Sequence, residues 1–332
     1  MDPRSCGPMW TLTLLLVSAC PLCCGASWMQ LGLSPAGPPE DQDQDQDQAC
    51  AGLPLSPPQS LLLRERPSLL PAVRLGARLA MKECRSQFRH ERWNCSSMLG
   101  PEASSGTKET AFIHAMMAAG LVHAVTRSCS HGNATRCGCG AGPRGAWRWG
   151  GCSDPLRYGI RFSRQFIDDG AANGSRSAMN RHNSETGRQA VVRTMAARCR
   201  CHGVSGSCAV KTCWKTLAAP ELVGAHLKER YERSTRLWDR SGRKTRRKDR
   251  LVFLNKSPNY CLADARRGVA GTRGRRCSRT SGGADGCVLL CCGRGYDTQL
   301  VRRQRRCHCK FSWCCHVRCR RCESMDDLHT CK

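Results

Sequence analysis

Acidic and aromatic residues are scarce in this chain, and it has no apolar run long enough to cross a bilayer. Its 332 residues hold 26 Asp and Glu against 53 Lys and Arg, a formal net charge of +27. Aromatics make up only 5% of the residues. A chain of this length can bury a real core, but one poor in large rings needs another source of stability. The apolar run from Met9 to Cys20 falls short of the ~20 residues a spanning helix requires, and no later stretch is longer. Any membrane attachment must therefore come from a modification or a partner. A shortage of acid on this scale implies an anionic partner.

Cysteine, by contrast, is abundant: 27 residues of 332, the density of a disulfide scaffold. Stable disulfides imply an oxidising compartment. Arg4, the Met9–Cys20 run and the small residues Gly25-Ala26-Ser27 read as a cleaved signal peptide over residues 1–26. The expectation is a protein secreted to the extracellular space and matrix, with disulfides worth ~2–4 kcal/mol each. In that setting a sulfated glycosaminoglycan, not nucleic acid, is the expected anionic partner. Cys6, Cys20, Cys23 and Cys24 leave with the signal peptide, and 23 cysteines remain.

Residues 27–65 contain Pro, Gly and an Asp-Gln repeat from Asp41 to Gln48, which predicts a disordered segment. From about Pro71 the pattern turns helical, with Val73, Ala77, Ala80, Cys84 and Phe88 on one face. Further helices are predicted over Thr107 to Arg127, from Ser153-Asp154-Pro155 onward, over Ser184 to Ala197, and over about Pro220 to Arg233. In the second of these, a capping residue precedes proline. Asp239 to Arg250 carries seven basic residues and two acids without apolar periodicity, so residues 239–255 read as an exposed basic linker. Twelve cysteines follow between Cys261 and Cys331, predicting short hairpins stapled by bridges over residues 256–332. The fold class is α+β and disulfide-rich: a helical N-terminal lobe over 66–238 with a long β-hairpin, plus a small cystine-rich hairpin C-terminal lobe.

The segment Cys201-His202-Gly203-Val204-Ser205-Gly206-Ser207-Cys208 has two cysteines around a short glycine-bearing loop. Cys199 and Cys213 lie just outside it. Glycine permits left-handed backbone and close approach, so the loop predicts a stiff tip that offers the Ser205 hydroxyl to a modifying enzyme. Gly203-Val204-Ser205-Gly206-Ser207 is near the Gly-x-Ser-x-Gly elbow of serine hydrolases. That elbow requires a strand-to-helix turn with a supporting base and acid, and His202 has no evident support. The Cys-x-Cys and Cys-x-x-Cys spacings between Cys307 and Cys322 are formally compatible with zinc. Metal-binding thiolates must stay reduced, however, so disulfides are expected and no metal site.

The block Cys199 to Cys208, followed by Lys211-Thr212-Cys213-Trp214, closely resembles the signature of the Wnt family of secreted growth factors. His90-Glu91-Arg92-Trp93-Asn94-Cys95-Ser96, Trp147-Arg148-Trp149-Gly150-Gly151-Cys152-Ser153-Asp154, Cys291-Cys292-Gly293-Arg294-Gly295-Tyr296 and Cys307-His308-Cys309-Lys310-Phe311-Ser312-Trp313-Cys314-Cys315 resemble Wnt blocks in the same order. Asn255 to Cys261 and the ending Asp326 to Lys332 look most like one branch of that family.

The resemblance implies a disulfide pairing that sequence alone leaves open. The pairs are Cys84–Cys95, Cys129–Cys137, Cys139–Cys152, Cys199–Cys213 and Cys201–Cys208. In the second lobe they are Cys261–Cys292, Cys277–Cys287, Cys291–Cys331, Cys307–Cys322, Cys309–Cys319 and the adjacent Cys314–Cys315. Cys50 is left unpaired. Related chains tend to have a cysteine near position 63, where this one has Leu63.

The resemblance also implies function. It makes the protein a signalling ligand, not an enzyme, that needs no cofactor and carries a covalent monounsaturated sixteen-carbon acyl chain on Ser205. Such a ligand grips the cysteine-rich domain of Frizzled receptors with two tips. One holds Ser205 and Val204; the other holds Phe311, Trp313, Cys314, Cys315 and Val317. Low-density-lipoprotein-receptor-related co-receptors bind elsewhere, near the basic linker. A membrane-bound O-acyltransferase and a secretory carrier act during export. Heparan sulfate proteoglycans are expected at Arg243, Lys244, Arg246, Arg247 and Lys248. Asn94, Asn133, Asn173 and Asn255 head glycosylation triplets. Arg273 to Arg276 and Arg303 to Arg306 resemble basic protease sites, but they lie between bridged cysteines. The rival reading is a secreted heparin-binding matrix protein with a bare Ser205.

Overall fold

The structure is a computed structural model that describes residues 27–33, 53–96, 98, 101–140, 151–169, 174–237, 249–313 and 315–332. The signal peptide, the Asp-Gln repeat, Cys50, Asn173, Cys314 and the basic run Arg243, Lys244, Arg246, Arg247 and Lys248 lie outside the described residues. The helical lobe contains α1 (Pro57–Glu65), α2 (Leu70–Gln87), α3 (Lys108–Ser130), α4 (Leu156–Asp168), α5 (Ser175–Thr194) and α6 (Pro220–Glu232). Between α5 and α6 a hairpin of β1 (Ala196–Cys201) and β2 (Lys211–Thr216) projects.

The central element is α3. Thr107 caps it, accepting from the Thr110 backbone amide. Most of α3 is buried, from Phe112 through Val125 to Cys129, so it is apolar on every side, as a core helix should be. Small residues let its neighbours come close. A Cβ on Gly76 of α2 would lie 2.8 Å from the Leu121 Cα, and one on Gly187 of α5 would lie 2.7 Å from the Ala115 carbonyl carbon. Packing of α2 follows the predicted face: Val73, Ala77, Ala80, Cys84 and Phe88 are all buried. Phe88 stands edge-on to Trp93, Phe112 and Tyr231.

Several expectations need correction. The segment over 27–65 is ordered at both ends. Trp28–Gly32 form a short 3-10 turn whose Trp28, Met29 and Leu31 are buried, with Trp28 edge-on to Phe166 of α4 at 5.4 Å. Apolar side chains are enough to dock even a short segment once a groove exists. At the other end, Ser56 and Gln59 form a capping box that starts α1. Helix α5 begins at Ser175, nine residues before the predicted Ser184, because polar residues fill its first turns.

Asp154 does not cap α4. Its carboxylate accepts from the Leu217 amide at 2.7 Å and from the Ser130 hydroxyl. The end of the supposed exposed linker is buried: Leu251 and Val252 are fully enclosed. β4 (Val252–Phe253) pairs in parallel with β3 (Thr235–Arg236), and Asn183 exchanges two 2.9 Å hydrogen bonds with the Val252 backbone.

The C-terminal lobe has β5 (Arg276–Cys277), a short α7 (Cys287–Leu290), β6 (Tyr296–Ser312) and β7 (His316–Cys331), with sheet order β5-β7-β6. Its hairpin is not short: β6 and β7 have 17 and 16 residues, longer than the six-residue strands of the first lobe. The lobe's apolar cluster is small, made of Cys287, Leu290, Cys291 and Cys331, with Cys277 and Tyr296 against it. Arg275 joins the lobes, donating to the carbonyls of Glu91, Arg92 and Arg89 at 2.6–3.1 Å. Arg92 Nε returns a bond to the Leu289 carbonyl.

Among the described residues ten disulfides close: Cys84–Cys95, Cys129–Cys137, Cys139–Cys152, Cys199–Cys213, Cys201–Cys208, Cys261–Cys292, Cys277–Cys287, Cys291–Cys331, Cys307–Cys322 and Cys309–Cys319. Cys315 is exposed and has no disulfide partner among the described residues; its expected partner, Cys314, lies outside them.

Candidate functional site: two cystine-locked hairpin tips

The first tip grows out of α5, and the hairpin register runs from Ala196↔Thr216 to Cys201↔Lys211. Cys199 faces Cys213 directly, with Cα atoms 4.0 Å apart. Cys201–Cys208 then closes the loop itself. The base is clamped from outside β2. The Asp154 amide donates to the Lys215 carbonyl at 2.9 Å, and the Lys215 amide to Ser153 Oγ at 3.2 Å. The Cys139–Cys152 bridge holds that clamp.

At the apex, Val204–Gly206 make a single turn. The Gly203 amide donates to the Ser207 carbonyl at 2.8 Å, and the Ser207 amide to the Val204 carbonyl at 3.1 Å. A Cβ on Gly203 would sit 2.6 Å from the Ser207 carbonyl oxygen, so close approach requires glycine there. Gly206 takes φ +77, where glycine is unstrained. Ser205 is itself left-handed, at φ 56 and ψ 27, which costs a non-glycine residue roughly 1–2 kcal/mol. Its side chain is exposed, and Val204 beside it is 90% exposed. Among the described residues neither His202 nor any other group hydrogen-bonds the Ser205 hydroxyl, so the arrangement presents an alcohol.

The second tip ends the β6–β7 hairpin. Lys310↔Arg318, Phe311↔Val317 and Ser312↔His316 are its last pairs. Trp313 is 94% exposed, and Phe311 and Val317 are exposed too. Two disulfides hold the stem below them.

The glycosylation triplets differ. Asn133 is exposed. Asn94 is half-buried and accepts from the Ser96 amide. Asn255 donates to the Ser105 carbonyl at 2.7 Å, and its triplet partner Ser257 donates to buried Glu109, also at 2.7 Å.

Sequence reasoning missed the platform under the first tip. Arg188 of α5, fully buried, makes two 2.9 Å bonds to Asp168 of α4 and one of 3.1 Å to Ser163 Oγ. Burial pushes the neighbouring Glu185 carboxyl upward, but bonds from Arg164, Gln189 and Arg188 outweigh it and hold it near about 2. The only signal was charged residues inside a predicted helix, and no periodicity distinguishes those that face inward.

Fold and site define the class: a two-lobed, cystine-stapled protein that displays two rigid hairpin tips on a scaffold with no helix, among the described residues, long and apolar enough to cross a membrane. The sequence profile of the wnt family matches residues 53–332, and the chain belongs to that family. It is 53% identical to Protein Wnt-16 of Mus musculus over 367 residues, spanning 99% of this chain and 98% of that protein. It is 41% identical to Protein Wnt-5a of Ambystoma mexicanum over 336 residues, covering 92% and 94% of the two chains. A chain in the solved structure of human WLS in complex with WNT8A aligns at 37% identity with a TM-score of 0.64, covering 80% of this chain and 94% of that one. The protein is therefore a Wnt signalling ligand, and members of this family are secreted ligands, not enzymes.

Proposed function

We propose that this ligand is esterified on Ser205 by a monounsaturated sixteen-carbon acyl chain and grips the cysteine-rich domain of Frizzled receptors with both tips. One observation carries the reading. An exposed alcohol, without a hydrogen bond among the described residues, sits on a doubly bridged tip in a conformation that lifts it clear of the loop. Burying a methylene is worth ~0.8 kcal/mol, so the chain contributes on the order of 10 kcal/mol in an apolar groove. No other surface on so polar a hairpin supplies that. Phe311, Trp313 and Val317 form the second grip, since exposed aromatics on a rigid stem are typical interface anchors.

A low-density-lipoprotein-receptor-related co-receptor binds near the junction between lobes. The basic run Arg243, Lys244, Arg246, Arg247 and Lys248 holds heparan sulfate. A membrane-bound O-acyltransferase installs the ester. The likeness to a Wnt solved with human WLS supports a WLS-type carrier during export. Mass analysis of the Cys201–Cys208 peptide from secreted protein tests the ester. Ser205→Ala is expected to abolish secretion or signalling, and full potency in that variant removes the reading.

A further inference from the structure

Where α5 ends, the chain turns out of the helix at Met195 (φ -57, ψ 139) and enters β1. That corner and α4 enclose a groove of about 360 Å³ at the base of the first hairpin. Leu156 and Ile160, one turn apart on α4, form one side, and both pack on the main core beneath. Val192 and Met195 of the corner and Ala196 and Ala197 of β1 form the other. Val192, Ala196 and Ala197 are exposed, and the two alanines leave a width that larger strand residues would fill.

Two cations stand at this groove: Arg157 of α4, and Lys215 of β2, which lies directly opposite Ala197. Both are exposed, and among the described residues neither meets a carboxylate within ion-pair distance. The lining is therefore apolar except for two unmatched positive charges. A cleft of this size is at the lower end of those that hold small molecules.

We propose that this groove is a binding site for a free fatty acid of medium chain length, with its carboxylate between Arg157 and Lys215 and its chain along Leu156, Ile160, Val192 and Met195. Charge complementarity selects the ligand. A neutral lipid leaves both cations unmatched, and so does the ester proposed at Ser205, which carries no charge. A small polar anion uses the cations but none of the apolar lining. Chain length follows from the size of the groove. Each methylene that enters strengthens binding roughly four-fold, and the gain stops where the groove ends. The site lies at the root of the hairpin, apart from both tips, and does not depend on acylation at Ser205.

The test uses secreted full-length protein and dodecanoic acid bearing a diazirine on its chain, with the cross-linked peptides mapped by mass spectrometry. Labelling is expected on the segments that hold Ile160 and residues 192–197, displaced by dodecanoate and hardly at all by methyl dodecanoate. Octanoate, four methylenes shorter, is expected to compete about ten-fold or more weakly than dodecanoate. Arg157→Gln/Lys215→Gln is expected to lower labelling roughly ten-fold, since two exposed ion pairs are lost. Arg176→Gln/Arg181→Gln removes the same charge from exposed positions of α5 and is expected to change it little. Equal displacement by the acid and its methyl ester, or full labelling of the Arg157→Gln/Lys215→Gln variant, overturns the proposal. So does labelling confined to the Cys201–Cys208 tip, or a groove left unlabelled in the wild-type protein.

Discussion

Arg188 of α5 and Asp168 of α4 form a two-point ion pair at 2.9 and 2.9 Å, with the guanidinium fully buried. Helix α5 runs straight into β1, so this pair fixes the platform from which the Ser205 tip projects. Removing one member of a buried pair leaves the other uncompensated, at about 3 kcal/mol or more. Arg188→Ala is expected to lower the unfolding midpoint and the secreted yield, whereas Arg164→Ala, at an exposed position, changes either little. Thermal denaturation of the two purified variants checks this.

Two glycines flank the Ser205 turn for different reasons, and substitution separates them. Alanine at Gly203 drives a Cβ into the Ser207 carbonyl, so Gly203→Ala reshapes the tip. Alanine at Gly206 meets no atom within 4 Å and bears only the left-handed strain of about 1 kcal/mol. Acyl occupancy of Ser205 is expected to fall much further in Gly203→Ala than in Gly206→Ala, with both variants retaining the same melting temperature within a few degrees.

Asn255 and Ser257 are both engaged in the folded protein, through Ser105 and Glu109. A glycan on Asn255 replaces one of the two hydrogens on Nδ2, which lies 2.7 Å from the Ser105 carbonyl, so it has to fit against that bond. Glycopeptide mapping is expected to find Asn133 occupied and Asn255 largely bare. High occupancy at Asn255 contradicts the account of that corner.

Burial lowers the imidazole of His114 on α3 to about 4, although a backbone bond at Ala103 opposes the shift. Burial also lowers His123, which donates to the Ala218 carbonyl at 3.0 Å. Below pH 6.5 the unfolded chain takes up protons that the folded chain refuses, so stability falls as pH drops from about 6.5 toward 4 and is level above. His114 alone accounts for about 2 kcal/mol by pH 5. Melting curves at pH 7.5, 6 and 5 should show this slope, and His114→Gln should flatten it.

Some of this architecture was legible in the sequence and some was not. α2, α3 and α6 were readable because they bury apolar side chains at helical spacing. The start of α5 was not, because its first turns are polar and Asn183 is buried there by a partner far away in the chain, Val252. The lengths of β6 and β7 were equally hidden. Both faces of that hairpin meet solvent and cystines hold it, so no apolar alternation marks it. The Ser205 tip was visible because its cysteines and glycines lie within a few residues of one another. The Ser205 left-handed backbone was not, since local composition favours glycine for that role.

The most direct measurement is the mass of the Cys201–Cys208 peptide from secreted, signalling-competent protein. The account predicts a Ser205 peptide heavier by one monounsaturated sixteen-carbon acyl group. An unmodified Ser205 in material of full activity contradicts it.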